Sequence, residues 1–448
     1  MEGAFDVIVV GLGAMGSATA YHLSKQHTKV LGLEAFIPAH DRGSSHGESR
    51  IIRQAYFEDP AYVPLVLRAY ELWDELQNES NEDILSITGG VAIGSPRRGL
   101  ITGCLKSARR YGLEHDLLDA REMRRRFPQF ALADNEVAFY EEKAGYLKPE
   151  ECIRQHLRCA SKRGADLRFE EPVLSWRASQ SGDGVSVTTE KQTYQARSLV
   201  ISVGPWFAEL VPSVSMPVIV SRRVMFWLKP TSQPSAFDRR IFPIFIWEPE
   251  QGPLFYGFPR TREAGDPKVG IHSEGEECTP STIDRVISAR DEMAIRSAIR
   301  SRIPALNGEV SHAATCMYTM TPDEHFIIDA HPEYPQVSLA AGFSGHGFKF
   351  SSVVGEILSD LAMTRETSSD IALFPGSCRG ALSLHCGLLL RLNGWCFLAL
   401  FPMRRGLGSL HCRRGLDGFH RGRGLGVPCS LRCLPYLRPA SLLRKSNP

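Results

Sequence analysis

The chain has 448 residues, long enough for two intimately connected domains and a large core, and a formal charge of +2 from 52 Lys and Arg against 50 Asp and Glu. That balance hides an asymmetry: residues 376 to 448 hold eleven Arg and one Lys against the single acid Asp417, which leaves the first 375 residues net acidic. A net acidic body argues against nucleic-acid binding and fits a cytoplasmic enzyme.

The first predicted elements form a βαβ unit over residues 1 to 35. An apolar strand, Phe5 to Val10, runs into Gly11-Leu-Gly13-Ala-Met-Gly16, a helix-compatible run follows to Leu23, and a second strand ends at Glu34. In this pattern the first glycine makes the tight turn, the second lets the backbone approach a pyrophosphate, and the third lets helix and strand pack closely. Glu34, about 20 residues on, is expected to hold a ribose hydroxyl, which argues against a 2′-phosphate and so against NADP. Asp6 and the glycine turn interrupt any apolar h-region, so the segment reads as a first strand and not as a signal peptide.

A polar loop rich in Gly, Ser and His occupies 36 to 56, and helical periodicity returns over 62 to 76 with Leu65, Leu72 and Leu76 on one face. Residues 88 to 94 read as a strand and turn, and Pro149 sits where a helix would open. The run 196 to 206 is a buried strand ending at Gly204, suited to a second backbone contact with the dinucleotide. Between about 215 and 315 short β-like runs, such as 223 to 228 and 242 to 247, are spaced by Pro and Gly and predict an antiparallel sheet roofing a pocket. Strand, glycine turn and helix return over 325 to 365. The expected organisation is a discontinuous cofactor domain (1–85, 145–215 and 316–374) with a substrate domain (86–144 and 216–315) inserted into it.

Of eleven cysteines, Cys104, Cys152, Cys159, Cys278 and Cys316 lie in this body, and none forms a pair with metal spacing. Cys429 and Cys433 lack a matching second pair, so no metal is expected. The stretch 381 to 402 is apolar but contains His385, Arg391 and Asn393, which argues against a membrane helix. The whole tail from 375 onward, with its Arg404-Arg-Gly-Leu and Arg413-Arg-Gly-Leu echo, has no sustained period and reads as a non-homologous terminus outside the fold. A basic arm for nucleic acid or membrane is the competing reading of that tail.

Three runs carry a more specific signal: Gly43-Ser-Ser-His46-Gly-Glu-Ser-Arg50-Ile-Ile-Arg53, Cys316-Met-Tyr318-Thr-Met-Thr-Pro-Asp-Glu-His325-Phe-Ile-Ile-Asp329 and Gly342-Phe-Ser-Gly345-His346-Gly347-Phe-Lys349. Occurring together and in order, they resemble the monomeric sarcosine oxidase family, which includes N-methyltryptophan and pipecolate oxidases, over roughly residues 4 to 374. The resemblance implies an α/β (α+β) fold of the D-amino-acid oxidase type, with a Rossmann-like FAD-binding domain and an inserted antiparallel-sheet substrate domain. It implies a monomer that takes a small N-methyl amino acid and O2, with no nucleic-acid or membrane partner. It also implies FAD held covalently through a thioether at Cys316.

By the same resemblance Arg53 and Lys349 anchor the substrate carboxylate, a task that suits a guanidinium fork and an ammonium point charge. Tyr256, His272 and Tyr318 line the pocket around the amine and methyl group. Arg50 and His46 contact the flavin or shape its face, while Ser45 and Ser49 belong to the same loop. Lys268 matches the lysine that activates oxygen, where a cation stabilises developing superoxide. Gly11, Gly13, Gly16, Glu34, Gly342, Gly345, Gly347 and Lys349 complete the expected cofactor contacts. The implied reaction converts sarcosine, O2 and water to glycine, formaldehyde and hydrogen peroxide. N-methyltryptophan and pipecolate are the alternative substrates, and a flavin-fold relative inactivated by its tail is a further alternative. A nicotinamide dehydrogenase would explain Gly11 to Glu34 but leave the Cys316 and Lys349 runs idle.

Overall fold

A computed structural model describes residues 5–214 and 218–375. The tail beyond 375, with the 381 to 402 stretch and the Arg-Gly-Leu echoes, lies outside the described residues.

The first sheet is built on parallel strands whose continuous burial reflects cover on both faces. Phe5–Val10 lies between Thr193–Ile201 and Val30–Leu33, and Val30–Leu33 continues to Asp166–Arg168. On its other edge the nine-residue strand Thr193–Ile201 serves two further neighbours. Its first half pairs with Val185–Thr189 of an antiparallel extension, and its last three residues pair in parallel with Val337–Ala341, where the chain returns from the far end of the sequence. The helix Ala14–Lys25 is buried all round from Ala14 to Ser24 because the helices Pro149–Lys162 and Ser351–Thr364 enclose it. Such a helix has no room for an amphipathic face, and its sequence shows none.

The glycines of the opening turn each have a visible reason. Gly11 has φ +84°, and a Cβ there would sit 2.8 Å from the carbonyl oxygen of Ser202. At Gly16 a Cβ would lie 1.8 Å from the Gly11 carbonyl oxygen, so this residue sets how closely helix and turn approach.

The second sheet has nine strands, in the order Glu276–Cys278, Ile219–Leu228, Lys268–Ile271, Phe255–Phe258, Ile244–Glu248, Gly90–Gly94, Val137–Glu141 and Asp116–Leu118, with Val310–Met320 also paired along Ile219–Leu228. It is antiparallel except at one join, where Ile244–Glu248 runs parallel to Gly90–Gly94. That join is between strands some 150 residues apart, so no hairpin signal marks it. Cys316 lies within Val310–Met320, opposite Arg223, so the expected boundary at 316 falls inside a strand of the second sheet, and the first sheet resumes at Ile327–Ala330. A three-stranded sheet of Arg50–Ile52, Gly145–Leu147 and Leu85–Ile87 supports the loop that carries Arg50 and Arg53.

The cofactor-side helices pack without slack at Gly355, where a Cβ would stand 2.5 Å from both the carbonyl carbon and the Cβ of Ala18. Gly355→Ala is expected to lower stability by about 2 kcal/mol, the usual cost of overpacking against backbone. An unfolding midpoint equal to that of the parent protein would contradict this packing.

Candidate active site

Two cavities meet in the fold. The larger, of about 630 Å³, is bordered by the carboxyl ends of the first sheet's strands: Val10 to Met15, Leu33 to Phe36 and Ser202 to Trp206. Open α/β sheets bind ligands at this edge. Ser44 and Ser45 of the polar loop and Gly342, Gly345 and Gly347 of the late glycine turn close it. The smaller cavity, of about 70 Å³, lies among Arg50, Arg53, Glu58, Tyr256, His272, Cys316, Tyr318, His346 and Lys349. Arg50, Tyr318, Gly345 and Phe348 border both, so the two spaces share a wall.

The larger cavity has the features a dinucleotide needs. At Gly13 a Cβ would meet no protein atom within 4 Å, so the backbone there faces open space. The helix that follows has no side-chain cap and no acid in its first turn, leaving its N-terminal N–H groups and positive dipole end for an anion. Glu34 borders the cavity as expected, yet its carboxylate is already engaged: Leu12 donates to it at 2.8 Å and Phe36 at 3.1 Å. Burial pushes this carboxyl above its ordinary range. The residues present therefore fit a dinucleotide whose diphosphate lies over Gly13.

Around the smaller cavity the polar groups are tightly committed. Arg53 donates from Nη1 to the Ala55 carbonyl and from Nη2 to Glu58, both at 2.6 Å, while its Nε has no acceptor. Although burial opposes it, Arg53 holds the Glu58 carboxyl down at about 2. Lys349 donates to the His346 carbonyl at 2.6 Å. Burial, then the charge of Arg53, brings this ammonium down to about 7. Tyr318 and His272 approach at 3.4 Å. Burial keeps His272 neutral, lowered to about 4, and raises Tyr256 to about 12.

Cys316 is a free, buried thiol facing the smaller cavity. Burial raises its pKa, and Arg50, Lys268 and Arg223 oppose that rise. Arg50 bridges its own loop by donating to the carbonyls of Ser44 and Ser49. Lys268, His46, Ser49 and Gly16 border neither cavity. Lys268 is buried behind the loop and donates to the carbonyls of Gly47 and Ser49 at 2.7 Å each. His46 and Ser49 are buried with His46 Nε2 and Ser49 Oγ unpartnered, and burial lowers His46 to about 4.

Sequence reasoning missed Glu58 and His346. Glu58 lies five residues after Arg53, and a buried arginine needs a counter-ion; that was the available signal. His346 sits within the quoted glycine run, and its Nδ1 meets the Tyr56 hydroxyl at 2.5 Å. Among the described residues no group of three or more His, Cys, Asp or Glu could hold a metal. No helix among them is long and apolar enough to cross a membrane.

Known proteins resemble this chain over most of its length. The chain is 48% identical over 377 residues to monomeric sarcosine oxidase of Streptomyces avermitilis, covering 84% of this chain and 97% of that one. It is 35% identical over 372 residues to N-methyl-L-tryptophan oxidase of Salmonella heidelberg, covering 83% and 98%. Among solved structures, the amino acid oxidase NikD superposes with a TM-score of 0.74 at 23% identity over 83% of this chain and 97% of that one. Glycine oxidase of Geobacillus kaustophilus superposes with a TM-score of 0.69 at 22% identity over 84% and 98%. The family model described as FAD dependent oxidoreductase matches residues 6–361, and the chain therefore belongs to the DAO family of FAD dependent oxidoreductases.

Proposed function

We propose that this chain oxidises sarcosine with O2 and water to glycine, formaldehyde and hydrogen peroxide, using FAD tethered through Cys316. The observation that carries the reading is the smaller cavity, a confined space with two cations for a carboxylate beside a wall of neutral aromatic and imidazole groups. At about 70 Å³ it holds roughly five water-sized positions, given about 10–15 Å³ for each. Sarcosine, with about six non-hydrogen atoms, matches that room; N-methyltryptophan, with about sixteen, does not without rearrangement. The likeness to sarcosine oxidases supports the same choice.

FAD supplies the two-electron acceptor and passes the electrons to O2. The protein's part is placement and charge. A substrate carboxylate competes with Glu58 for the fork of Arg53 and takes the Lys349 ammonium as its second partner, a bidentate contact plus a point charge. With the carboxylate fixed there, the N-methyl group faces Tyr256, His272 and Tyr318. These three are neutral at pH 7, so none acts as an anionic base toward the amine. A substrate entering as the neutral amine needs none, because loss of a hydride equivalent leaves an iminium ion that water hydrolyses. On the other side of the loop, Lys268 provides the positive charge expected to favour oxygen reduction.

Peroxide release should be fastest with sarcosine, at least tenfold slower with N-methyltryptophan at equal concentration, and coupled one to one to formaldehyde. A protein that holds FAD yet releases no peroxide from any secondary-amine amino acid would overturn the reading. Cys316→Ala should lose its yellow colour on acid precipitation while the parent protein keeps it, and colour that persists in the variant would remove the tether.

Carboxylate binding should also depend on the charge of Lys349. In the free protein this group is an ammonium below about pH 7 and neutral above it. Affinity for methoxyacetate, a carboxylate without an amine, is therefore expected to fall as pH rises through 7, by up to about tenfold per pH unit. Lys349→Met should bind weakly and without that dependence, as read by titration of protein absorbance. A flat profile for the parent protein between pH 6 and 9 would exclude the role.

A further inference from the structure

Arg222 and Arg223 are neighbours on the strand Ile219–Leu228 and are buried alike, at 7% and 6% exposure, but their fates differ. Arg222 forms a bidentate pair with Asp291 at 2.8 and 3.0 Å. Arg223 has no carboxylate within 4.0 Å among the described residues. It donates from Nη1 to the Ser221 hydroxyl at 2.6 Å and to the Arg222 carbonyl at 3.3 Å, and its Nε has no acceptor. A buried charge is ordinarily paired, so one left uncompensated calls for a purpose.

Its surroundings supply one. The guanidinium lies 4.7 Å from the centre of the Tyr318 ring. Gly345 also abuts that ring: a Cβ there would come within 2.3 Å of Tyr318 Cε2. Tyr318 borders both cavities and meets His272 at 3.4 Å, so whatever fixes this ring fixes the wall against which the amine sits. The fit extends to the turn after Lys268–Ile271: a Cβ at Gly275 would fall 1.3 Å from Arg223 Nη1, so the absence of a side chain there admits the guanidinium.

The charge inventory points the same way. Facing His272 are one carboxylate, Glu58, already paired with Arg53, and the cations Arg223, Lys349 and Arg53. Facing Tyr318 are Arg223 and Arg50, with Tyr256 and Cys316 the titratable neighbours. From behind the loop Lys268 adds its influence on Cys316. Glu276 and Glu277, on the strand beside Ser221 and Arg222, do not pair with Arg223; Glu276 lies 3.6 Å from Arg290.

We propose that Arg223 is a positioning residue of the amine wall: it holds Tyr318 against the glycine turn, and its unpaired charge selects the neutral over the cationic amine. This rests on the reading of the smaller cavity as the site of secondary-amine oxidation. Arg223 borders neither cavity and acts across the Tyr318 ring: a positive charge behind that wall disfavours the ammonium form, so the bound amine loses its proton at lower pH than it would without Arg223. The neutral lone pair is the form from which a hydride equivalent can leave.

The test compares Arg223→Gln and Arg223→Lys with the parent holoenzyme, using two unreactive ligands of one shape. Dimethylsulfonioacetate is permanently cationic at the position of the amine, and 3-methylbutanoate is its neutral isostere. In R223Q the ratio of their dissociation constants, cation over neutral, should fall by about tenfold, and the alkaline rise of kcat for sarcosine, which follows the bound amine, should move up by about one pH unit. R223K, which keeps the charge, should retain both parent values. Equal weakening of both ligands in R223Q with an unmoved pH profile would overturn the proposal, because that is what loss of packing alone produces. If the parent protein fails to oxidise sarcosine, the functional reading falls while the ligand ratio still reports on Arg223. Should R223Q not fold, R223K with an altered ligand ratio equally contradicts the proposal.

Discussion

The site depends on the loop that carries Arg50 and Arg53, and two charges hold that loop; one is the Lys268 ammonium, donating to the carbonyls of Gly47 and Ser49. It reaches from the second sheet into a loop more than 200 residues earlier in the chain. Glu150 takes the other side of the same loop, accepting from the N–H groups of Gly47 at 2.6 Å and Glu48 at 3.2 Å. A loop of this length and polarity could take many shapes, and these two charges, with Arg50 donating to the Ser44 and Ser49 carbonyls, hold the one it has. Its flanks then do separate tasks: Ser44 and Ser45 border the larger cavity, Arg53 borders the smaller, and Arg50 borders both. A buried lysine without a carboxylate at hydrogen-bond distance is costly, which the two carbonyls and the Phe258 ring 4.3 Å away partly offset. Burial and Arg50 both push its proton affinity well below the usual lysine range, with Glu150 opposing.

The same economy of charge runs through the smaller cavity. Three of its lining groups carry or can carry positive charge besides the histidines' latent sites, Arg50, Arg53 and Lys349, and Arg223 lies against the ring of Tyr318 without bordering the cavity; Glu58 is the one carboxylate that borders it. On the proposed function, that excess receives the carboxylate of the substrate. Burial keeps His272, Tyr256 and Tyr318 neutral; the cations reinforce this at His272 and oppose it at the two tyrosines. The proposed function requires such a cavity to favour a carboxylate over an ammonium, and the sign of its charge is the one that does so.

Much of this was legible in the sequence, for reasons that are local. The spacing of Gly11, Gly13 and Gly16 maps onto a positive φ, an open backbone and a close approach, each a property of one residue and its nearest turn. The three motif runs brought the residues of the loop, the thiol strand and the late glycine turn to one junction. What the sequence did not disclose depends on pairing at a distance. The parallel join of Ile244–Glu248 with Gly90–Gly94 has no local signature. Glu34 was expected to serve a ribose, and its engagement with Leu12 and Phe36 appears only in three dimensions. Arg223 read as one more residue of an apolar strand, because nothing in the sequence distinguishes it from Arg222, whose partner Asp291 lies 69 residues away.

Lys268 therefore has two tasks on this account, supporting the loop and serving oxygen, and they can be separated by rapid mixing of the two half-reactions. In Lys268→Met, reduction of the bound FAD by sarcosine without oxygen should stay within about threefold of the parent rate, while reoxidation of the reduced protein by O2 should slow by at least about a hundredfold. Equal slowing of both steps would mean that Lys268 only holds the loop, and would contradict the division of the site into a substrate side and an oxygen side.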